Sequence, residues 1–259
     1  MLSEQKQPIF PKNNAVRLDK FICDCGNNIT RSAAKLLIKQ GRVLVNGKAA
    51  KLSDMKISPE SDIVFVGGSE LVFKKHIYIM MNKPQGVVCS TRDGLSPTVL
   101  SLIPDEMKRK GLFPAGRLDK DTEGFVLITD DGELAHKMLS PKGHVPKLYY
   151  VELENEITSE YKKRFSEGIV FKSGEKCLPA ELLEDDSNRK TCQVVLHEGM
   201  YHQVKRMFES MGNKVVFLKR ICIGGLYLDP SLAAGECMEI LHKDVEKLLE
   251  RPVFGGENL

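Results

Sequence analysis

Apolar residues recur at helical spacing near the start of the chain. Leu18, Phe21, Ile22 and Cys25 fall at i, i+3, i+4 and i+7, so a helix is expected from Val16, and Gly26, Asn27 and Asn28 end the run. Thr30 then stands where an N-cap belongs, opening a second helix over residues 31–40 that Gly41 closes. On that helix Ala33, Ala34, Leu37 and Ile38 share one face, while Arg31, Lys35 and Lys39, spaced by four, line another. The period drops to two at Val43-Leu44-Val45, and Asn46-Gly47 is a hairpin turn followed after a spacer by a strand over residues 62–66.

Beyond residue 76 the chain alternates short β-type runs with a few helices. Strands are expected over residues 77–81, 86–90, 125–129, 149–153, 191–196, 214–218 and 237–241. Residues 177–183 and 191–196, joined by polar residues, read as a hairpin, and no regular crossover helices separate the strands. Helices are expected after Asp131, a natural N-cap, and over residues 201–211, where Val204, Met207, Phe208 and Met211 share one side and Gly212 stops the run. The pattern is α+β: a small helical/β module, then a larger domain on a mixed, largely antiparallel sheet. The expected organisation is a disordered tail over residues 1–14, the small module over 15–68, a Gly-rich linker over 69–75, the large domain over 76–251, and a C-terminal tail over 252–259.

Composition adds a globular balance, 42% apolar and 28% charged over 259 residues. The net charge is only +3, yet residues 15–66 alone carry nine Lys or Arg against five acids. The positive charge is therefore concentrated in the small module, which suits a polyanionic partner as well as a solvated face. Seven cysteines show no Cys-x-x-Cys pair, and they read as free thiols in a reducing cytosol. No apolar run approaches the roughly 20 residues that span a bilayer, so a cytoplasmic protein without a membrane partner is expected. No glycine-rich phosphate loop follows a strand, and His136, His144, His197 and His242 lack ligand spacing. No cofactor and no metal are expected.

Four stretches remain that could carry chemistry. Gly116-Arg117-Leu118-Asp119-Lys120-Asp121-Thr122-Glu123-Gly124 places a carboxylate on a glycine-bounded loop ahead of an apolar strand. Read alone, Asp119 is a cap as readily as a reactive group. Asn82-Lys83-Pro84-Gln85-Gly86 is a turn at a strand end. In Lys147-Leu148-Tyr149-Tyr150-Val151 the adjacent tyrosines face opposite ways, so they cannot share a role. In Tyr201-His202-Gln203-Val204-Lys205-Arg206-Met207-Phe208, His202 and Lys205 fall off the apolar stripe.

Taken in order, the four stretches resemble the motifs of the pseudouridine synthases. The small module, with Arg17-Leu18-Asp19-Lys20-Phe21, Thr30-Arg31-Ser32, Gly41-Arg42-Val43 and Val45-Asn46-Gly47, resembles an S4 RNA-binding domain. The resemblance implies that Asp119 is the catalytic aspartate, that the Lys83-Pro84 turn buttresses its loop, that Tyr149 stacks on the target base, and that Lys205 pairs with Asp119. His202 and Gln203 then look like support for the motif rather than a general base. Arg117 is expected to contact the flanking phosphate or fill the vacated stack. Arg17, Lys20, Arg31, Ser32, Lys35, Lys39 and Arg42 are expected to grip RNA. The implied activity is isomerisation of uridine to pseudouridine in ribosomal RNA, in the branch that carries an N-terminal S4 domain, acting as a monomer. Within that branch the motifs look most like those of enzymes acting on 16S rRNA, at the uridine-516 site. Enzymes acting on 23S rRNA share nearly all of these features, and a non-catalytic ribosome-assembly factor is the alternative from another class.

Overall fold

The computed structural model describes residues 15–254 apart from 26–28, 141, 142, 144 and 186, and leaves the side chain of His242 undescribed. The expected N-terminal tail, the Gly26-Asn27-Asn28 helix stop, His144 and the last five residues of the expected C-terminal tail lie outside the described residues. Two compact units divide between residues 75 and 76.

The first unit runs β1 (Val16–Arg17), α1 (Leu18–Cys25), α2 (Arg31–Lys39), β2 (Val43–Val45), β3 (Lys48–Ala49), β4 (Lys56–Ile57), β5 (Val64–Val66) and β6 (Ser69–Leu71). Its core is formed by Leu18, Phe21, Ile22, Ala34, Ile38, Val43, Val45, Ile57 and Val64, the periodic positions of both helices and the inward residues of the strands. The Thr30 hydroxyl accepts the Ala33 N–H at 3.2 Å, the expected N-cap. Asn46 and Gly47 both have positive φ, 50° and 76°, as a type I′ hairpin turn requires. Two expectations change. Val16 and Arg17 are extended and pair with β4 rather than starting the helix, because the Leu18 and Asp19 amides are taken by the Met55 and Ser53 carbonyls. Residues 69–71, expected in the linker, form a strand paired with β5, and Phe73 stacks on Phe21 at 6.1 Å. The polar residues 69 and 70 sit on a sheet edge, where hydrogen bonding rather than burial defines the strand.

The second unit runs β7 (Tyr78–Lys83), β8 (Phe113–Ala115), β9 (Glu123–Thr129), α3 (Gly132–Leu139), β10 (Lys147–Leu153), α4 (Glu160–Glu167), β11 (Glu181–Glu184), β12 (Thr191–Leu196), α5 (Gln203–Glu209), β13 (Val215–Ile223), β14 (Leu226–Tyr227), β15 (Cys237–Glu239) and α6 (His242–Val245). One sheet has the order β11-β12-β10-β13-β9-β7-β15, with β8 on β9 and β14 on β13. Every pairing of these strands is antiparallel except β9 with β13. The fold is α+β on a mixed, largely antiparallel sheet.

Both faces of the sheet are covered, which is why β9 runs apolar from Phe125 to Ile128 and β7 from Ile79 to Met81. Ile79, Met81, Val126, Ile128, Val151 and Leu218 face one core, closed by Phe165 of α4 and Val204, Met207 and Phe208 of α5. Met80, Phe125 and Leu127 face the other, closed by Leu134, Ala135 and Met138 of α3 and by Leu248. Asp131 caps α3, its Oδ1 accepting the Glu133 and Leu134 amides at 3.0 Å.

Three sequence expectations differ here. Residues 86–90 are a packed loop: Val87 and Cys89 are buried, but Val88 makes only an isolated bridge to Thr98 and the Gly86 amide bonds the Lys120 carbonyl. The helix expected from Tyr201 begins at Gln203, because His202 takes left-handed angles, φ 49° and ψ 36°. Within the expected C-terminal tail, Phe254 is buried against Leu148, Val195 and Cys222, so the packed unit extends past residue 251. Among the described residues no helix is long and apolar enough to cross a membrane.

Candidate active site

The Asp119 loop lies between β8 and β9, and it is pinned from beneath. Lys83, the last residue of β7, is fully buried, and its ammonium donates to the carbonyls of Thr122 at 2.7 Å, Pro84 at 3.0 Å and Lys120 at 3.4 Å. Burial pulls the Lys83 pKa below the usual lysine range, with nearby carboxylates opposing that shift. The Gly86 amide bonds the Lys120 carbonyl at 2.8 Å, and the Leu118 amide reaches the Cys89 sulfur at 3.3 Å. The Lys-Pro turn and the loop after it thus hold the backbone on both sides of Asp119.

Gly124 fixes where the loop meets the sheet. Its φ is +101°, and a Cβ there would lie 2.2 Å from the Arg220 carbonyl oxygen. Only glycine lets β9 approach β13 that closely at the start of their short parallel pairing, Glu123 with Lys219 and Gly124 with Arg220. Below that contact Arg220 is buried, its Nε donating to the Phe125 carbonyl at 2.8 Å.

Lys205 reaches Asp119 from α5, 86 residues away in sequence, with Nζ 3.1 Å from Asp119 Oδ2. The same ammonium lies 2.5 Å from Asp121 Oδ1. Burial works against the Lys205 charge, but the hydrogen bonds it donates to Asp121 and Asp119 outweigh it and raise its pKa. Burial likewise works against the Asp121 charge, and Lys205 outweighs it, so that carboxyl is held below its ordinary value. His202 places Nε2 3.5 Å from Asp119 Oδ1. Asp119 therefore has a cation on one oxygen and an imidazole on the other.

Tyr149 is buried on β10 and lines the same cleft as Asp119, Arg117, Thr122 and His202, with Leu118, Leu196, Met200, Val204 and Leu218 as apolar walls. The cleft has a volume of about 80 Å³. Tyr150 faces the other way, its hydroxyl donating to Glu152 at 3.1 Å and its ring edge-on to Phe217. The Thr122 hydroxyl is buried and has no hydrogen-bond partner among the described residues.

Of the three residues expected to form the site, Asp119 and Tyr149 line one cleft with Arg117, and Lys205 joins them through its ion pair with Asp119. Asp121 and His202 belong there too, and sequence reasoning gave the first no role and the second only a supporting one. The i, i+3 spacing of His202 and Lys205 was the available signal. Gln203 is a brace: its side chain accepts the Met200 amide and donates to Glu198.

In the first unit Arg31, Ser32, Lys35, Lys39 and Arg42 are exposed. Arg17, Lys35 and Lys39 line a groove of about 560 Å³ together with Lys51, which is not among the residues expected to grip RNA. Arg17 is fixed there by a two-pronged bond to Asp19, 3.0 Å for each prong, and Asp19 is buried. Lys20 turns instead to Asp24 at 3.8 Å.

The family model for RNA pseudouridylate synthases matches residues 77–210, and that for the S4 domain matches residues 16–64. The chain is 43% identical to an uncharacterized RNA pseudouridine synthase of Bacillus subtilis, over 91% of its own length and 99% of the relative's. It is 42% identical to the ribosomal small subunit pseudouridine synthase A of Haemophilus influenzae, over 91% and 100% of the two chains. With the enzyme of the same name from Escherichia coli the identity is 38%, over 90% and 100%. A crystal structure of a pseudouridylate synthase superposes with a TM-score of 0.63 at 40% identity, covering 90% of this chain and 99% of that one. The chain belongs to the RNA pseudouridylate synthase family, with an S4 domain at its N-terminal end. It is an isomerase that converts uridine to pseudouridine in RNA.

Proposed function

We propose that the protein modifies 16S rRNA of the small ribosomal subunit at the uridine-516 site, in the cytoplasm and as a monomer. Support for the RNA class comes from relatives whose names specify the ribosomal small subunit, aligned over nearly the whole of both chains. One observation carries the catalytic assignment: Lys205 Nζ lies 3.1 Å from Asp119 Oδ2 in a cleft that Tyr149 also lines.

In this reading Asp119 is the group that works at the nucleoside. The reaction breaks the bond from C1′ to N1, turns the uracil, and joins C1′ to C5. The proton on C5 is lost and N1 gains one, so nothing is oxidised or hydrolysed. Lys205 keeps one oxygen of Asp119 oriented and leaves the other facing His202 and the cleft. Reaching the glycosidic bond requires flipping the nucleotide at a cost of a few kcal/mol. Stacking of the freed base on Tyr149 offsets about 1–3 kcal/mol of that. Arg117 at the cleft mouth contacts the backbone beside the flipped nucleotide, and the basic groove of the S4 domain holds structured RNA through its phosphates.

Mapping pseudouridine in rRNA from cells lacking the protein tests the reading. Loss of the single 16S site is expected. Loss of a 23S site instead would redirect the substrate, and an unchanged map would leave an RNA-binding assembly factor.

A further inference from the structure

The turn between β12 and α5 carries an aromatic side chain that the proposed reaction does not use. Tyr201 is 72% exposed. Its ring lies on the His202 imidazole, with centroids 3.7 Å apart and planes 19° from parallel. His202 in turn touches Asp119 and lines the cleft. The order from the catalytic carboxylate outward is thus carboxylate, imidazole, phenol ring, solvent.

This shelf is stiff. The Met200 amide bonds Gln203 Oε1 at 2.9 Å, Gln203 Nε2 bonds Glu198 at 2.8 Å, and the Leu178 amide bonds the same Glu198 oxygen at 2.7 Å. Arg206 donates to the Tyr201 carbonyl at 3.3 Å while its guanidinium lies over the Phe171 ring and pairs with Glu175. His202 holds a left-handed backbone, φ 49°, an unusual state for a non-glycine residue, and with it the two consecutive rings lie face to face. An exposed tyrosine on such a braced turn offers a fixed aromatic plane beside the reaction centre.

We propose that the Tyr201 ring is a stacking platform for the base next to the target uridine. Flipping the uridine out leaves its neighbours without a stacking partner, and an aromatic plane accepts any base by its face. The inference rests on the proposed RNA-modifying function and adds a subsite to it: Tyr149 takes the target base inside the cleft, and Tyr201 takes the flanking base outside.

The test uses full-length protein and a 16S rRNA fragment carrying 2-aminopurine beside the target uridine. Wild type should quench the 2-aminopurine fluorescence on binding. Tyr201→Ala should abolish the quench and raise KM about tenfold, with kcat within about threefold of wild type. Tyr201→Phe should restore both properties, and Tyr201→Leu neither, which separates stacking from bulk. Quenching that survives Tyr201→Ala, or a KM within about twofold of wild type, would overturn the proposal. If Tyr201→Ala does not fold, the Phe and Leu variants decide between the same outcomes. Wild type that converts no uridine in this RNA would instead count against the proposed substrate, and the quenching arm would still decide the stacking.

Discussion

Lys205→Met removes a cation lodged between two carboxylates while keeping the apolar stem of the side chain. The ammonium is 3.1 Å from Asp119 and 2.5 Å from Asp121, and only 24% of the Lys205 side chain is exposed. A unit-charge pair at that longer separation is worth about 5 kcal/mol gross at an effective dielectric of about 20, and about 1.3 kcal/mol in water. The cleft is partly open and desolvation takes back part of the gain, leaving about 2–3 kcal/mol, as for a charge-assisted hydrogen bond. Spent on orienting Asp119 in the transition state, that corresponds to a fall in kcat/KM of about 30- to 150-fold. The assay is tritium release from C5 of labelled uridine in the RNA, run as single turnovers so that product release does not mask the chemistry. Lys205→Arg, which keeps the charge, should lose less than about tenfold. A Met variant within about threefold of wild type, at equal RNA affinity, would refute the role of the ion pair.

The Lys205–Asp121 pair sets a stability window. Lys205 has its pKa raised on folding, so its contribution is complete below the ordinary lysine range and fades as pH rises through the elevated value. Asp121 has its pKa lowered, so its contribution is present above the ordinary carboxylate range and fades as pH falls through the depressed value. The stability gap between wild type and Lys205→Met in urea unfolding should therefore be flat across about pH 6–9 and shrink toward either extreme.

Further outcomes follow from other parts of the molecule. Thr122→Val removes a buried hydroxyl with no partner, so it should leave stability unchanged or raise it by about 1 kcal/mol while lowering kcat/KM; a parallel loss of both would show the hydroxyl to be structural. Lys147 is buried beside Arg220, and burial, then that neighbouring charge, brings its pKa down to about 8. Its folded pKa is below its unfolded one, so the cost of holding it is full below about pH 8 and is relieved as pH climbs toward the ordinary lysine range. Lys147→Met should thus unfold up to about 3 kcal/mol harder at neutral pH, an advantage that narrows at alkaline pH in urea titrations. Deleting residues 1–75 should weaken RNA binding and make its salt slope shallower by about 0.7–0.9 for each phosphate that the S4 domain neutralises. The second unit should still fold cooperatively, and its unfolding would contradict the boundary.

Much of this was written into local sequence. The Asp119 loop, Tyr149 and Lys205 are legible as a set only through their resemblance to family motifs, which short contiguous stretches preserve; helix periodicity alone places Lys205 off the core stripe and gives it no partner. Thr30 and Asp131 were legible as caps because capping is local chemistry. The differences arise where long-range partners decide. Residues 86–90 alternate like a strand, yet their backbone hydrogen bonds go to residues 97, 99 and 120, and the alternation serves to bury Val87 and Cys89 behind the Asp119 loop. Gly124 reads as a loop boundary, whereas its role is the close approach to Arg220, a contact made 96 positions further along. The left-handed turn at His202 carries no glycine or asparagine to announce it, so periodicity alone starts the helix too early and leaves the imidazole without a link to Asp119.

Isomerisation of a small-subunit rRNA uridine by Asp119 is the core of the proposed function. It is tested most directly by incubating purified wild type and Asp119→Asn with transcribed 16S rRNA and quantifying pseudouridine at each position. Wild type should convert one uridine to completion, while the Asn variant binds the RNA with similar affinity and converts none. Conversion by the Asn variant at a rate near that of wild type would contradict the account.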